Sequence, residues 1–205
     1  MYDDRAQAGR ALAEYLAVYQ GSDTAIVLGL VRGGVPVAAA AARQLGVRLD
    51  ALVVRKLGVP WAPEVAFGAV GPGGVRVLNP GLANRLTEKD IHFLTEREAA
   101  EVARRERLYR RDRPPLDLSG ATAIVMDDGL ATGATARAAV EVARVFRAHE
   151  VIVVAPVGSR DAVDLLRQSA DQVICPVVPE DFGAVSRYYR DFHQVTDDEV
   201  IALLA

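Results

Sequence analysis

The sequence predicts an α/β fold built around a doubly wound, mainly parallel β-sheet. Short apolar runs rich in β-branched residues alternate with longer segments of helical periodicity along the chain. Continuous apolar runs are typical of strands buried on both faces, and strict alternation of strands with helices favours parallel βαβ units. The chain has 205 residues and contains no long linker, repeat or low-complexity tract. We therefore expect one domain covering residues 1–205.

The predicted helices and strands follow one another in a regular order. The predicted helices cover residues 5–19, 35–45, 87–111, 137–147 and 160–169. The predicted strands cover residues 25–30, 49–54, 121–126, 151–157 and 172–178. Gly46 directly follows the second helix, where a glycine commonly ends a helix. The helix over 87–111 is densely charged with both signs, so we interpret it as a solvated helix with a narrow apolar stripe.

Composition excludes several classes of function. The net charge is −3, so no overall positive field attracts nucleic acid or an anionic membrane. Cys175 is the only cysteine, which rules out an intramolecular disulfide. The N-terminal residues lack the features of a signal peptide, and no apolar run reaches membrane-spanning length. We therefore expect a cytoplasmic protein with neither a membrane nor a nucleic acid as its partner.

One segment, residues 121–137, carries most of the functional information. A buried-strand run ends in the adjacent carboxylates Asp127 and Asp128, a Gly/Thr turn follows, and an alanine-rich helix comes next. The first amides of a helix lack intrahelical partners and bind anions. Carboxylates at the carboxyl end of a strand suit the hydroxyls of a sugar, which donate hydrogen bonds to them. The segment predicts a site for a phosphorylated sugar, and an ordinary strand–turn–helix scaffold is the alternative.

The same segment resembles the phosphoribosyl-pyrophosphate (PRPP) loop of type I phosphoribosyltransferases, through the pattern Asp-Asp-x-x-Ala-Thr-Gly-x-Thr. The resemblance implies that Asp127 and Asp128 form the catalytic pair and hold the ribose 2′- and 3′-hydroxyls. It also implies that the turn cradles the 5′-phosphate of PRPP. The residues of that turn are Ala131, Thr132, Gly133, Ala134 and Thr135. The fold implied is the family's α/β fold, with a flexible lid hairpin and a C-terminal hood.

Two further features stand where the family binds pyrophosphate. Arg32, Gly33 and Gly34 follow the first strand, and paired glycines free backbone amides for an anion. The family places its pyrophosphate loop here, often with an unusual peptide conformation. Arg55 and Lys56 follow the second strand and would pair with the leaving pyrophosphate. An ordinary glycine-rich turn and a solvated charge pair are the alternatives.

Residues 57–78 predict a lid. Their prolines and glycines, with β-like pieces over 65–70 and 75–78, indicate a loop followed by a flexible hairpin. In the family this segment is a mobile lid, and a lid keeps water away from the activated sugar. Trp61 and Glu64 are candidates for a role in closure, although simple packing explains an exposed loop aromatic equally well.

The predicted hood covers about residues 179–205 and begins with an aromatic-rich tail. Phe182 and Tyr188 are its candidates for stacking on a planar base, and Tyr189 and Phe192 are further candidates. The tail is similar to that of the 6-oxopurine enzymes at Phe182 and at Tyr188-x-x-Asp191-Phe192. That similarity implies a Mg²⁺ contact for Asp191 beside the pyrophosphate.

Two positions oppose a 6-oxopurine acceptor. Ala131 stands where those enzymes carry an aspartate that meets the purine. The strand over 151–157 continues into Gly158 and Ser159, without the lysine that contacts a 6-oxo group. Salvage of hypoxanthine or guanine is therefore disfavoured, and the acceptor stays unassigned.

The resemblance implies an enzyme of nucleotide metabolism and nucleoside salvage. It would transfer the 5-phosphoribosyl group of PRPP to a small nitrogenous acceptor, a nucleobase, with Mg²⁺-dependent release of pyrophosphate. A homodimer is expected at the level of the family. A regulator or sensor that binds PRPP without turnover is the alternative function, and a catalytically silent structural member is another.

Overall fold

We describe a computed structural model that gives the backbone of residues 1–205 and every side chain except that of Glu64. The role in closure predicted for Glu64 therefore lies outside the described side chains. The helices are α1 (Arg5–Glu14), α2 (Gly34–Leu45), α3 (Pro80–Ala83), α4 (Glu88–Arg110), α5 (Ala134–Val145), α6 (Arg160–Leu166) and α7 (Asp197–Leu204). The strands are β1 (Ala25–Leu30), β2 (Arg48–Leu52), β3 (Arg55–Val59), β4 (Ala62–Val70), β5 (Arg76–Leu78), β6 (Thr122–Met126), β7 (Glu150–Val154) and β8 (Gln172–Ile174).

Strands β2, β1, β6, β7 and β8, in that spatial order, form one sheet in which every pairing is parallel. The chain moves outward from β1 to β2, then returns to β6 on the other side of β1. In open α/β sheets, ligands bind outside the carboxyl ends of the strands at such a reversal. The topology therefore places the ends of β1 and β6 side by side, and it confirms the predicted α/β fold with a parallel sheet.

Helices cover both faces of this sheet, as the apolar strand runs require. Leu28 of β1 and Val125 of β6 belong to a buried cluster with α5 and α6. Val27 of β1 and Ile124 of β6 point to the opposite face, where they join α1 and α2. Successive side chains of a strand point to opposite faces, so strands covered on both sides are apolar throughout. Each fully buried Leu, Ile or Val contributes roughly 1.5–3 kcal/mol.

The predicted lid is an antiparallel sheet of three strands in the order β3-β4-β5. The β4–β5 hairpin matches the predicted β-like pieces, whereas the composition of β3 indicated a loop. Gly58 lies at a register shift in β3, and its position leaves no space for a Cβ atom against Pro63. A glycine in a strand often marks such a bulge, which explains the difference. Leu57 and Phe67 bury the sheet against α4.

Several element boundaries differ from the prediction. The first helix ends at Glu14, and Ala17–Tyr19 forms a separate 3₁₀ turn. Helix α5 begins at Ala134, three residues earlier than expected, so the phosphate turn leads straight into the helix. Helix α7 was not predicted, although Thr196 and Glu199 form a capping box at its start. Among the described helices, none combines the length and apolar character needed to cross a bilayer.

Candidate functional site

The acidic pair stands at the end of β6, where the sheet topology reverses. The backbone N–H of Asp128 donates to Oδ1 of Asp127 at 2.9 Å. The backbone N–H of Asp127 donates to the carbonyl of Val154 at 3.2 Å. Burial, and then the charge of Asp128, raise the pKa of Asp127 well above its usual value. Two ionised carboxylates at this place repel each other, so a ligand that donates hydrogen bonds to them is favoured.

The Arg-Gly-Gly turn between β1 and α2 packs directly on the acidic pair. A Cβ atom at Gly33 would overlap the carboxylate of Asp128, and one at Gly34 would overlap the carbonyl of Met126. Gly34 therefore allows two backbones to approach closely, whereas Gly33 leaves room for the side chain of Asp128. The peptide bond between Val31 and Arg32 is cis, which is an unusual conformation of the kind expected at this turn.

The predicted 5′-phosphate turn lies between the acidic pair and α5. Gly133 precedes the helix with a φ of +71°, a left-handed conformation that favours glycine. Thr132 and Thr135 are exposed, so their hydroxyls are accessible to a ligand. Ser159 holds the turn from the neighbouring strand end, since its Oγ donates to the carbonyl of Ala131 at 2.8 Å. The first amides of a helix lack intrahelical partners, and the amide of Ala134 donates to Oγ1 of Thr132 at 3.4 Å, so this arrangement can bind a phosphate.

A cleft of about 500 Å³ lies between the phosphate turn and the predicted lid. Arg55 and Lys56 line it from β3, and Thr135 lines it from the phosphate turn. Helix α4 adds Arg97 and Arg105. These two arginines were not predicted as site residues, because the dense charge of α4 indicated a solvated helix. Their spacing of eight residues, which places them on nearly one face of a helix, is the signal that was available.

Glu98 fixes the basic lining of this cleft and was also missed. Its buried carboxylate accepts a hydrogen bond from Nε of Arg55 at 2.8 Å and one from Nε of Arg97 at 2.9 Å. Burial acts to raise the pKa of Glu98, but Arg55 and Arg97 hold it below its usual value. The ionised Glu98 therefore orients two guanidinium groups at the wall of the cleft.

The side chain of Arg32 is held by the C-terminal helix. Its Nη1 lies 3.7 Å from Oδ1 of Asp197 in α7. The hydroxyl of Tyr109 donates to the same oxygen at 2.6 Å, and burial raises the pKa of Tyr109 to about 12. The pyrophosphate turn predicted from the sequence is therefore anchored to α4 and α7.

Part of the predicted hood lies beside the acidic pair. The rings of Phe182 and Tyr188 stack with centroids 5.9 Å apart, and the Tyr188 hydroxyl donates to the Phe182 carbonyl at 3.1 Å. Val185, between them, lies so close to Gly129 that a Cβ atom there would overlap it. The structure therefore brings Val185, which lies between the two predicted acceptor residues in the sequence, to the segment that follows Asp128.

Tyr189 and Phe192 have a different place from the one expected. Tyr189 is buried, and its hydroxyl donates to the backbone carbonyl of Asp128 at 2.6 Å. The Arg5 guanidinium lies 4.0 Å from the centroid of the Phe192 ring. Tyr189 therefore does not offer a free ring to a base, because it packs beneath the acidic pair, and a cation already covers one face of Phe192.

Asp191 and Trp61 are both on the surface. The carboxylate of Asp191 accepts the backbone N–H of His193 at 3.0 Å and lies 3.1 Å from Nδ1 of the same residue. Within the described side chains, no group of three or more His, Cys, Asp and Glu residues is arranged to hold a metal ion. The Mg²⁺ contact of Asp191 stays a prediction. Trp61 is 62% exposed at the turn between β3 and β4.

A family model described as a phosphoribosyl transferase domain matches residues 2–193. Two curated proteins from strains of Mycobacterium tuberculosis, each named provisionally as a phosphoribosyl transferase, are 47% identical to this chain over 206 residues. The alignment covers 100% of this chain and 46% of each relative. The chain thus spans about half the length of these curated relatives.

The crystal structure of TT1426 from Thermus thermophilus has a TM-score of 0.92 and 43% sequence identity to this chain. That match covers 99% of this chain and 97% of the other. The AQ2163 protein from Aquifex aeolicus has a TM-score of 0.52 at 12% identity, covering 87% of this chain and 78% of that one. At so low an identity the likeness to AQ2163 shows the fold alone.

Proposed function

The chain belongs to the phosphoribosyl transferase family, and from that premise we propose that it transfers the 5-phosphoribosyl group of PRPP to a nitrogen acceptor. The observation that carries the proposal is the meeting of two turns and the acidic pair at one edge of the sheet. The Arg-Gly-Gly turn packs on Asp128, and the phosphate turn follows Asp128 in the chain. The carboxylates proposed to bind the ribose thus lie between two candidate anion-binding turns. This arrangement suits PRPP, whose ribose carries a 5′-phosphate on one side and a pyrophosphate on the other.

The donor is proposed to bind along these turns. Asp127 and Asp128 would accept hydrogen bonds from the ribose 2′- and 3′-hydroxyls. The turn from Ala131 to Thr135 would hold the 5′-phosphate through its amides and threonine hydroxyls. Gly33 would present the Arg-Gly-Gly amides to the pyrophosphate.

The leaving group is proposed to lie in the basic cleft. Arg55 and Lys56 line that cleft, and Arg97 and Arg105 add positive charge from α4. Cations fixed in advance where negative charge develops stabilise a transition state at little reorganisation cost. Glu98 supports this arrangement, because it already orients two of the guanidinium groups.

The chemical step breaks the bond between C1′ and the pyrophosphate oxygen, whose electron pair leaves with pyrophosphate. Positive charge develops on the ribose, and the negative field of Asp127 and Asp128 favours it. The acceptor nitrogen then forms the new bond to C1′ and releases its proton to water. Phe182 and Tyr188 are proposed to hold a planar nucleobase beside the ribose, since aromatic rings stack on bases.

Mg²⁺ is proposed as the accompanying ion. This cation prefers hard oxygen ligands and is often held by one or two carboxylates together with substrate phosphates. The exposed carboxylate of Asp191 has the chemistry for such a contact. Bound to pyrophosphate, Mg²⁺ would neutralise part of the charge of the leaving group.

The predicted lid is proposed to close over bound PRPP, with Trp61 at its tip. A single domain over residues 1–205, a role in nucleoside salvage, a cytoplasmic location and a homodimer stay predictions. The alternative function, PRPP sensing without turnover, uses the same donor site and is separated by the experiment below.

The test measures Mg-PRPP binding by calorimetry for the chain and for the double variant Asp127→Asn, Asp128→Asn. We expect strong binding to the chain and strongly weakened binding to the variant. Asp23→Asn, an exposed position away from the site, is the matched control and should bind normally. Equal affinity of the double variant and the chain would refute the donor site.

A second measurement follows pyrophosphate release with a panel of purine, pyrimidine and non-base amine acceptors. Turnover with any acceptor supports the transferase and names the acceptor class. Binding of PRPP without turnover across the panel would favour the sensor instead.

A further inference from the structure

Arg5 is a buried cation placed directly behind the acidic pair. It is 7% exposed, and its Nε donates to Oδ2 of Asp128 at 2.8 Å. Its Nη1 donates to the carbonyl of His193 at 2.9 Å, and its guanidinium lies over the Phe192 ring. The side chain is therefore held from three directions, and no role for it follows from the sequence motifs.

The N-terminal residues and the aromatic-rich tail hold Arg5 in this place. The backbone N–H of Tyr2 donates to the carbonyl of Tyr188 at 2.8 Å, and that of Arg190 donates to the carbonyl of Tyr2 at 2.9 Å. The N–H of Asp191 donates to the carbonyl of Asp3 at 2.9 Å. This pairing fixes the start of α1 against the tail, so the guanidinium has little freedom to leave Asp128.

We propose that Arg5 is a positioning residue of the PRPP site, which engages Oδ2 of Asp128 and leaves Oδ1 to accept a ribose hydroxyl. The inference rests on the proposed function, because the ribose is the ligand that the acidic pair is proposed to bind. Arg5 does not touch the donor itself. It acts by fixing the orientation and the charge of Asp128.

The surroundings of Asp128 give this role its physical basis. Asp127 stands beside it on the same strand end, the Tyr189 hydroxyl meets its carbonyl, and Gly33 closes over its carboxylate. Burial raises the pKa of Asp128, while the hydrogen bond and the charge of Arg5 lower it. Without this cation, two partly buried carboxylates would share a proton more readily, and the pair would lose an acceptor for the ribose.

The test compares Arg5→Gln, which keeps a hydrogen-bond donor but removes the charge, with Arg5→Lys, which keeps the charge. Arg10→Gln is the matched control, because Arg10 lies on the same helix and is exposed. Circular dichroism establishes that each variant is folded. PRPP binding is then measured by calorimetry across a range of pH.

We expect Arg5→Gln to raise the Kd for PRPP by about tenfold to a hundredfold, as for the loss of a charge-assisted hydrogen bond. The acidic limit of PRPP binding should move to higher pH in this variant. Arg5→Lys should recover part of the affinity and restore the pH profile, and Arg10→Gln should change neither. A purely structural role would lower the melting temperature without moving the pH profile.

A folded Arg5→Gln variant with the affinity and pH profile of the chain would overturn the proposal, as would lower stability with an unmoved profile. Titration of the Asp128 carboxyl by NMR in the free protein gives a readout that needs no PRPP. Its midpoint should rise in Arg5→Gln, and an unmoved midpoint overturns the role of Arg5 whether or not PRPP binds. Absence of PRPP binding to the unaltered chain overturns the proposed function instead.

Discussion

Gly33 lies against Asp128 so closely that a Cβ atom at Gly33 would overlap the Asp128 carboxylate. The backbone of Gly33 has ordinary helical angles, with φ −61° and ψ −31°. The need for glycine therefore comes from the space that the Asp128 side chain occupies and not from a left-handed conformation. This contact joins the turn after β1 to the turn after β6.

Gly33→Ala tests whether that contact matters for the donor. The added methyl group has to displace Asp128, so we expect weaker PRPP binding and a loss of stability of roughly 1–3 kcal/mol. In a chain of this size, each kcal/mol lost from the free energy of unfolding lowers the melting temperature by about 2–4 °C. Calorimetry and thermal unfolding measure the two effects. Gly81→Ala is the control, since a Cβ atom there would meet Asn79 only at 3.4 Å.

The fold followed from sequence where the pattern is local and strong. The apolar runs that became β1 and β6 fixed the sheet class, because a continuous apolar strand needs cover on both faces. Strand β3 of the lid was missed because Gly58 and the following Pro60 are typical of a loop. Only the pairing of this segment with β4 makes it a strand. Helix α7 carries its capping signal at Thr196, but a short segment after an irregular tail gives little periodicity to detect.

The candidate site likewise contains residues that the sequence predicts and residues that it does not. The acidic pair and the glycine turns could be predicted, because their chemistry follows from residue type and from position at a strand end. Arg5 and Glu98 could not, since their roles come from contacts between segments far apart in the chain. A helix sequence gives the spacing of its charges, but not which of its faces meets a cleft.

Removal of the two arginines of α4 tests the extent of the basic cleft. Arg97→Ala with Arg105→Ala should weaken pyrophosphate binding by roughly tenfold, since each loses a charge near a phosphate. The loss should shrink at high salt, because salt screens partly exposed charges. Arg107→Ala is the control, as an exposed arginine of the same helix. Equal pyrophosphate affinity of the double variant and the control would remove α4 from the site.

Asp127→Asn should stabilise the free protein while it weakens PRPP binding. Folding raises the pKa of Asp127 above its ordinary value of 3.8, so ionisation of the carboxylate at neutral pH costs stability. The amide keeps an acceptor for the Asp128 N–H and removes the repulsion. At neutral pH we expect a melting temperature higher by about 2–4 °C for each kcal/mol relieved. An equal or lower melting temperature at neutral pH would contradict this account.

The gain from Asp127→Asn should depend on pH in a defined direction. A carboxyl whose pKa is raised by folding destabilises the folded state fully when the pH is above its folded-state pKa. This destabilisation disappears as the pH falls below the pKa of the carboxyl in the unfolded state. The difference in melting temperature between the variant and the chain should therefore shrink on acidification. Asp23→Asn, at an exposed position, should show no such trend.

Tyr189→Phe separates two interactions of Asp128. It removes the hydrogen bond to the backbone carbonyl and leaves the hydrogen bond from Arg5 to the carboxylate. The Tyr189 hydroxyl is buried and donates to the Asp128 carbonyl at 2.6 Å, so its removal leaves a carbonyl without that donor. Such a loss costs about 1–3 kcal/mol, which lowers the melting temperature of this chain measurably. PRPP affinity should change less than it does in Arg5→Gln, because Arg5 still engages the carboxylate. Tyr15→Phe, at a ring that is 58% exposed, should leave both quantities unchanged. A loss of affinity in Tyr189→Phe equal to that in Arg5→Gln would mean that the backbone of Asp128, and not the charge beside its carboxylate, sets the geometry of the pair.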